Sequence, residues 1–258
     1  MSLENLANSL YESEKNSKQI EAITKKMPNL TTEDAYKIQL HNISKKIELG
    51  EKVVGMKIGL TSVAMQELLG VNEPDYGHIT SSMVVLEGQD ISISELCQPK
   101  VEGELAFCLK KELKGPNITI ADVYNATSWV APAIEIVDSR IKNWEITLQD
   151  TVADNGSSAR LILGSGMTPI SKIDMKLTGM TLEKNGKLIN SGVSAEVLGN
   201  PAASVMWLVN KLAEFDIGLE AGQIILSGAL TAAQPAKEGD FFNISFYGMG
   251  SVGVRFSK

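Results

Sequence analysis

The chain is poor in the residues that most often announce a function. Among its 258 residues there are two cysteines and two histidines. Cys97 and Cys108 stand in apolar surroundings with no CxxC and no Cys/His cluster, which excludes a thiolate zinc site and reads as a reduced, cytosolic pattern. A Ser-His-Asp triad would have to use His41 or His78, and any bound metal needs oxygen ligands. No GxGxxG or GxxxxGK[ST] loop occurs, so nucleotide binding has no support. No run approaches the length of a membrane span, and "MSLENLANSLYESEKN" lacks the basic and apolar regions of a signal peptide, so neither is expected. Basic residues are also in deficit. With 24 Lys and Arg against 31 Asp and Glu the net charge is −7, which argues against a nucleic-acid or anionic-membrane partner.

What is present is an ordinary globular composition, 43% hydrophobic and 21% charged, in a chain long enough for one large domain with an N-terminal extension. We expect a helical portion over 1–50 and a β-rich, continuous fold over 51–258. Leu3, Leu6, Ala7 and Leu10 recur at helical spacing. Thr31 and Asp34 fit a capping box for a second helix, with Tyr36, Leu40, Ile43 and Ile47 as its stripe and Gly50 as its stop. "KVVGMKIGL" (52–60) reads as a glycine-interrupted strand, 61–70 as a short helix, and "VNEPDYGHI" (71–79) as a turn-rich loop. Strands are expected at 82–86, 90–94, 100–110 and 131–140, and a helix from about 120 to 127. "DTVADNGSSARLILG" (150–164) reads as a polar loop entering a strand. Strands are also expected from 174, where Asn185-Gly186 signals a hairpin turn. Asn200-Pro201 opens a helix whose apolar face is Val205, Leu208, Leu212 and Phe215, and three strands follow. Helices at the front and strands without a βαβ rhythm make this an α+β fold.

The chemistry is concentrated in carboxylates. In "KVEGELAF" (100–107), strand alternation puts Lys100, Glu102, Glu104 and Ala106 on one face, with the two acids about 7 Å apart along the strand. A half-exposed strand with solvated charges accounts for these residues by themselves. It does not account for Glu135 in "AIEIV", where nothing polar alternates and an unpaired buried carboxylate is costly. Three such acids form an oxygen donor set for one hard cation, Mg²⁺ or Mn²⁺. Lys57 in "VVGMKIGL" is either a snorkelling lysine at a sheet edge or a functional ammonium beside two glycines. Asp75 in "EPDYG" reads equally as a turn-former, and Ser157 and Ser158 as a cap or an anion-binding loop.

Together, "VVGMKIGLTS" (53–62), "EPDYG" (73–77), "QPKVEGELAF" (98–107), "PAIEIVDSRI" (132–141), "DTVADNGSS" (150–158), "GQIILSGALT" (222–231) and "GMGSVGVRF" (248–256) resemble one family. It is the 2-keto-4-pentenoate hydratase and 4-oxalocrotonate decarboxylase family of the fumarylacetoacetate hydrolase superfamily. The resemblance implies a mixed β-roll with an N-terminal helical portion. It implies that Glu102, Glu104 and Glu135 ligate Mg²⁺ or Mn²⁺, that Lys57 is an acid/base with Asp75 as its partner, and that Ser157, Ser227 and Thr231 line the substrate pocket. A lysine suits that role if burial or the metal lowers its pKa. The implied reaction is addition of water to 2-hydroxypenta-2,4-dienoate (2-keto-4-pentenoate) in meta-cleavage degradation of aromatic compounds, giving 4-hydroxy-2-oxopentanoate. The alternatives are decarboxylation of 4-oxalocrotonate, or hydration of a dicarboxylic homologue with Arg160 as partner for its second carboxylate. Asp75 and Trp144 look like the hydratases, whereas "IVDSR", "SSAR" and "ALTAAQP" lean towards the decarboxylases. The family's members generally form homo-oligomers, and hydratase and decarboxylase in these pathways can associate, so a non-catalytic subunit is the reading from another class.

Overall fold

A computed structural model of the chain describes every residue except Met1, Ala64, Met65, Leu68 and Leu69. The short helix expected over 61–70 falls largely on those positions, outside the described residues. Three helices come first: α1 (Leu3–Lys15), α2 (Ile23–Lys26) and α3 (Thr32–Glu48). The Thr31 hydroxyl accepts from the Asp34 N–H at 3.1 Å and caps α3. Gly50 (φ 97°) ends it, with Glu51 N–H donating back to the Lys46 carbonyl. The buried face of α3 is the expected stripe only in part: Tyr36 and Ile43 are buried and Leu40 is half-buried, but the face turns away from Ile47. Ile47 is 48% exposed, while Gln39 and Lys46 are buried. Gln39 spans to the carbonyls of Tyr76 and Val152, and Lys46 pairs with Glu14 of α1 at 2.5 Å, so polar tethers decide which side faces inward.

Two mixed sheets follow. The larger has nine strands, in the order β2 (Asp75–Thr80), β1 (Val53–Gly59), β11 (Ile224–Leu226), β5 (Lys100–Leu109), β6 (Thr127–Val137), β7 (Ser158–Leu163), β3 (Val84–Val85). Short strands β8 (Thr168–Pro169) and β12 (Gln234–Pro235) add to β6 and β5. The smaller has the order β10 (Lys187–Val193), β9 (Gly179–Lys184), β13 (Phe241–Phe246), β14 (Gly250–Ser257), β4 (Asp90–Ser92). Parallel pairings β1–β11, β3–β7 and β4–β14 sit among antiparallel ones, which makes the sheets mixed, as expected of the β-roll. The sheets share a core of Val101, Leu105, Phe107, Phe242, Ile244 and Phe256. They pack tightly at Gly103, where a Cβ would lie 2.6 Å from the Met180 sulfur. Helices α4 (Ile120–Ala126) and α6 (Pro201–Leu212) pack together, the latter capped by the Asn200 side chain on Ala202 N–H at 3.0 Å.

Four local expectations change. Residues 75–80 are a fully buried strand, not loop, because pairing with β1 satisfies their backbone. Residues 148–153 form helix α5 (Leu148–Ala153), started by the Thr147/Asp150 capping box. The stretch 174–178 precedes β9 instead of joining it, and Leu177 is exposed. Helix α6 stops at Leu212, and Phe215, in the tighter turn that follows, is not buried.

Candidate active site

The larger sheet has an acid-bearing face, and strand pairing assembles it. On β5, Glu102 and Glu104 point away from the shared core, and Glu102 lies directly opposite Glu135 of β6 in the antiparallel register. Carboxylate oxygens of Glu102, Glu104 and Glu135 all lie within 4.8 Å of one another. Glu104 and Glu135 are buried and Glu102 is half-buried. A small apolar cluster of Ile79, Met83, Ala106, Ala133, Leu161 and Leu226 packs beside them on the same face.

Lys57 reaches this cluster from β1. Its Nζ is 3.6 Å from Glu135 Oε2 and donates to the Gly156 carbonyl at 3.1 Å. Asp75 arrives on β2, whose register pairs it with Gly59 and so turns it to the Lys57 face. A Cβ on Gly59 would lie 2.1 Å from Asp75 Oδ1 and 3.0 Å from Lys57 Nζ. Glycine at that position therefore lets the two heads converge. Thr151 Oγ1 donates to Asp75 Oδ2 at 3.5 Å.

The Gly156 carbonyl is delivered by an unusual turn. Asn155, Gly156 and Ser157 have φ of 57°, 60° and 56°, three consecutive left-handed residues, which costs about 1–2 kcal/mol for each non-glycine. The Asn155 side chain braces it, accepting from His78 N–H at 2.8 Å and donating to the His78 carbonyl at 2.9 Å. On the far side Gly228 N–H donates to Glu104 Oε2 at 2.6 Å, the first free amide after β11.

The hydrogen-bond account does not close here. Among the described residues six buried side-chain polar atoms lack a partner, and five belong to this cluster: Asp75 Oδ1, both Glu135 oxygens, Ser157 Oγ and Ser227 Oγ. Unpaired buried polar atoms are rare enough in native proteins that such a concentration marks the place of a missing ligand. Charge gives the same answer. Four carboxylates face one ammonium, and burial together with Glu135 pushes the Glu102 carboxyl up to about 7. Burial, Glu135 and Glu102 raise Glu104 well above the usual range, and burial raises Asp75 despite Lys57. Burial opposes the charged form of Lys57, but Glu135, Asp75, Glu102 and Glu104 together outweigh it and hold the ammonium above its ordinary pKa. This is opposite to the lowering expected of an acid/base lysine. A divalent cation meets every part of this imbalance: three all-oxygen donors, unpaired lone pairs and uncompensated negative charge.

Not every residue singled out in the sequence joins the cluster. Ser157 and Ser227 do, each fully buried. Thr231 touches Gly192 of β10 and follows Leu230, whose N–H donates to the Gly103 carbonyl between Glu102 and Glu104 at 3.1 Å. Arg160 is opposite Ile136, so its side chain leaves from the other face of the sheet from Glu135, and it pairs with Glu95 at 3.2 Å. Its expected role as partner for a substrate carboxylate is therefore withdrawn. Asn155, Gly156, Gly228 and Thr151 were missed, although all four lie in stretches already quoted.

Comparison with known proteins agrees with this geometry. The family described as fumarylacetoacetate (FAA) hydrolase C-terminal matches residues 57–257. The chain belongs to this family. It is 43% identical over 251 residues to a 2-hydroxyhexa-2,4-dienoate hydratase of Comamonas testosteroni, covering 96% of this chain and 95% of that one. It is 43% identical over 257 residues to a 2-oxo-hept-4-ene-1,7-dioate hydratase of Escherichia coli, covering 97% and 96%. Among solved structures, a 4-oxalocrotonate decarboxylase from Pseudomonas putida G7, complexed with magnesium and adipate, superposes with a TM-score of 0.96 at 37% identity over 98% and 97% of the two chains. The FAA hydrolase fold thus accounts for the mixed sheets and the leading helices. Among the described residues no helix is long and apolar enough to cross a membrane.

Proposed function

We propose that this chain is a divalent-metal-dependent lyase that hydrates a 2-hydroxy-2,4-dienoate, with 2-hydroxypenta-2,4-dienoate as the reference substrate and 4-hydroxy-2-oxopentanoate as product. The observation that carries this is the convergence of Glu102, Glu104 and Glu135, with both oxygens of Glu135 unpaired and Lys57 alongside. Mg²⁺ or Mn²⁺ is the fitting ion, held by those three acids. When bound, it supplies positive charge that stabilises the oxyanion developing at C2.

The remaining work falls to the protein's own groups. Lys57, aimed by the Gly156 carbonyl, delivers a proton to C5 as the 2-hydroxyl proton leaves to water, which converts the dienol to the conjugated 2-oxo acid. Asp75, with Oδ1 free, takes a proton from the water that adds at C4 and passes it to C3, which completes the 4-hydroxy-2-oxo acid. Ser157 and Ser227 have unpaired hydroxyls to orient the substrate's carboxylate. The hydratase reading is preferred to decarboxylation because a buried Asp75 with Oδ1 unpaired, beside Lys57, has work in water addition and none in loss of CO₂.

The test is to assay the purified chain with and without EDTA on 2-hydroxypenta-2,4-dienoate and on 2-oxohex-3-enedioate. Loss of dienoate absorbance without CO₂, abolished by EDTA and restored by Mg²⁺, is the expected result. CO₂ release from the diacid would make it a decarboxylase, and no turnover of either would favour a non-catalytic subunit.

A further inference from the structure

The nine-stranded sheet carries three lysine or arginine side chains: Lys57, Lys100 and Arg160. Two of them are engaged. Lys57 is held by Glu135 and the Gly156 carbonyl, and Arg160 leaves from the opposite face to meet Glu95. Lys100 is different. It opens β5 on the same face as Glu102 and Glu104, opposite Val137, and has no carboxylate partner among the described residues. Its half-buried ammonium lies 4.0 Å from the centre of the Trp144 ring. That ring is fixed by Nε1 donating to the Gln98 carbonyl at 3.2 Å, at the end of a turn in which Asn143 and Trp144 have φ of 56° and 57°. One end of the acid-bearing face thus finishes in a residue whose positive charge is seated on an aromatic plate and whose Cα is about 7 Å from that of Glu102 by the rise of the strand.

We propose that Lys100, seated on Trp144, anchors a second, distal carboxylate of the substrate, so that the site favours dicarboxylic 2-hydroxy-2,4-dienoates over the five-carbon monoacid. This rests on the reading of the site given under Proposed function. A dienoate held by its 2-hydroxy acid end at Glu102, Glu104 and Glu135 has only its far end free to discriminate between homologues. A chain of six or seven carbons brings a terminal carboxylate within reach of Lys100, whereas the five-carbon acid stops short. The pairing forms against an indole face at a half-buried ammonium, where a charge-assisted hydrogen bond is stronger than at an open surface. Arg160, the cation that composition alone suggested for this task, cannot serve from the other side of the sheet.

The test compares wild type, Lys100→Met and Lys100→Arg on 2-hydroxypenta-2,4-dienoate and 2-hydroxyhepta-2,4-diene-1,7-dioate. Lys100→Met keeps the packing on Trp144 and removes the charge. It is expected to lower kcat/KM on the dioate about 100-fold, chiefly through KM, and to stay within about threefold on the monoacid, with Lys100→Arg recovering most of the loss. Equal loss on both substrates, no loss on the dioate, or a wild type without preference overturns the proposal. Binding of adipate and hexanoate, measured by calorimetry in Mg²⁺, separates it from the proposed reaction. Adipate should bind more tightly to wild type, and the difference should vanish in Lys100→Met. If that holds without turnover of any dienoate, the hydratase reading fails and the anchor stands. Turnover with adipate no tighter than hexanoate is the converse, and it sinks the anchor.

Discussion

Two clusters of charge are buried in this molecule, and they are built on opposite plans. Around Arg140 every nitrogen is engaged. Nε meets Asp154 Oδ1 at 2.6 Å, Nη1 donates to the carbonyls of Asp138 and Ser158, Nη2 to the carbonyl of Asp154, and the Arg140 N–H to Asp154 Oδ2. Around Glu135, a few residues away in sequence, neither carboxylate oxygen has a hydrogen bond. The first cluster is complete as folded and can only be weakened. The second is incomplete and waits for something. The difference separates a structural ion pair from a binding site more sharply than burial or charge count does, because both clusters are buried and both are charged.

The comparison is broken most severely at Glu135. Glu135→Gln should lower activity by about 10³-fold or more, yet leave the melting temperature in EDTA unchanged or raised, since it removes an uncompensated charge. Mg²⁺ should raise the melting temperature of wild type and not of the variant. A variant with wild-type activity would remove Glu135 from the metal set. The reverse signature is expected at Arg140. Arg140→Met leaves Asp154 buried alone and should cost about 3–5 kcal/mol in urea unfolding, and the double variant with Asp154→Leu should recover much of it. An unaffected midpoint would show that the pair contributes nothing.

A third test uses pH. Burial holds His78 neutral, with its pKa lowered to about 4, and Nδ1 lies 2.9 Å from Gln39 Oε1. The unfolded chain takes up this proton near pH 6.5 and the folded one does not until about pH 4. Stability is therefore full above 6.5 and falls as pH drops through that window, by roughly 3 kcal/mol for this group. Denaturation curves at pH 7 and pH 4.5 should differ less for His78→Gln than for wild type, and an identical difference would discard this assignment. The smallest effect is expected at Asn155. Asn155→Ala loses both bonds to His78 and the residue best suited to its left-handed position, so kcat should fall about tenfold with KM little changed. A fall in KM affinity instead would mean that the turn holds substrate and does not aim Lys57.

Legibility from sequence followed how local the cause was. Glu102 and Glu104 were readable because alternation along a strand is a local rule, and Glu135 because an acid inside "AIEIV" conflicts with its neighbours. The α3 cap was readable for the same reason. Asp75 was misread as loop because Pro74 and Gly77 look like turn residues, while its burial depends on β1 and on the Asn155 turn, distant in sequence. The inward side of α3 was legible at Tyr36 and Ile43 but not at its C-terminal end, because Gln39 and Lys46 find partners on other elements. Helix α5 was missed but legible by the same local rule, since Thr147 and Asp150 repeat the Thr31/Asp34 spacing that marks the start of α3. The side of the sheet taken by Arg160 depended on register, which composition does not disclose.

Strand β1 lies parallel to β11, so Lys57 is seated against Leu226 near the far end of the chain. During synthesis the acids of β5 and β6 emerge long before the strand and the Gly228 amide that complete their surroundings. Until then β5 presents an unpaired edge where β11 will dock. The reaction centre is therefore among the last parts of the molecule to come into being on the ribosome, and a truncated product ending before residue 224 would carry all three acids and still lack a finished site.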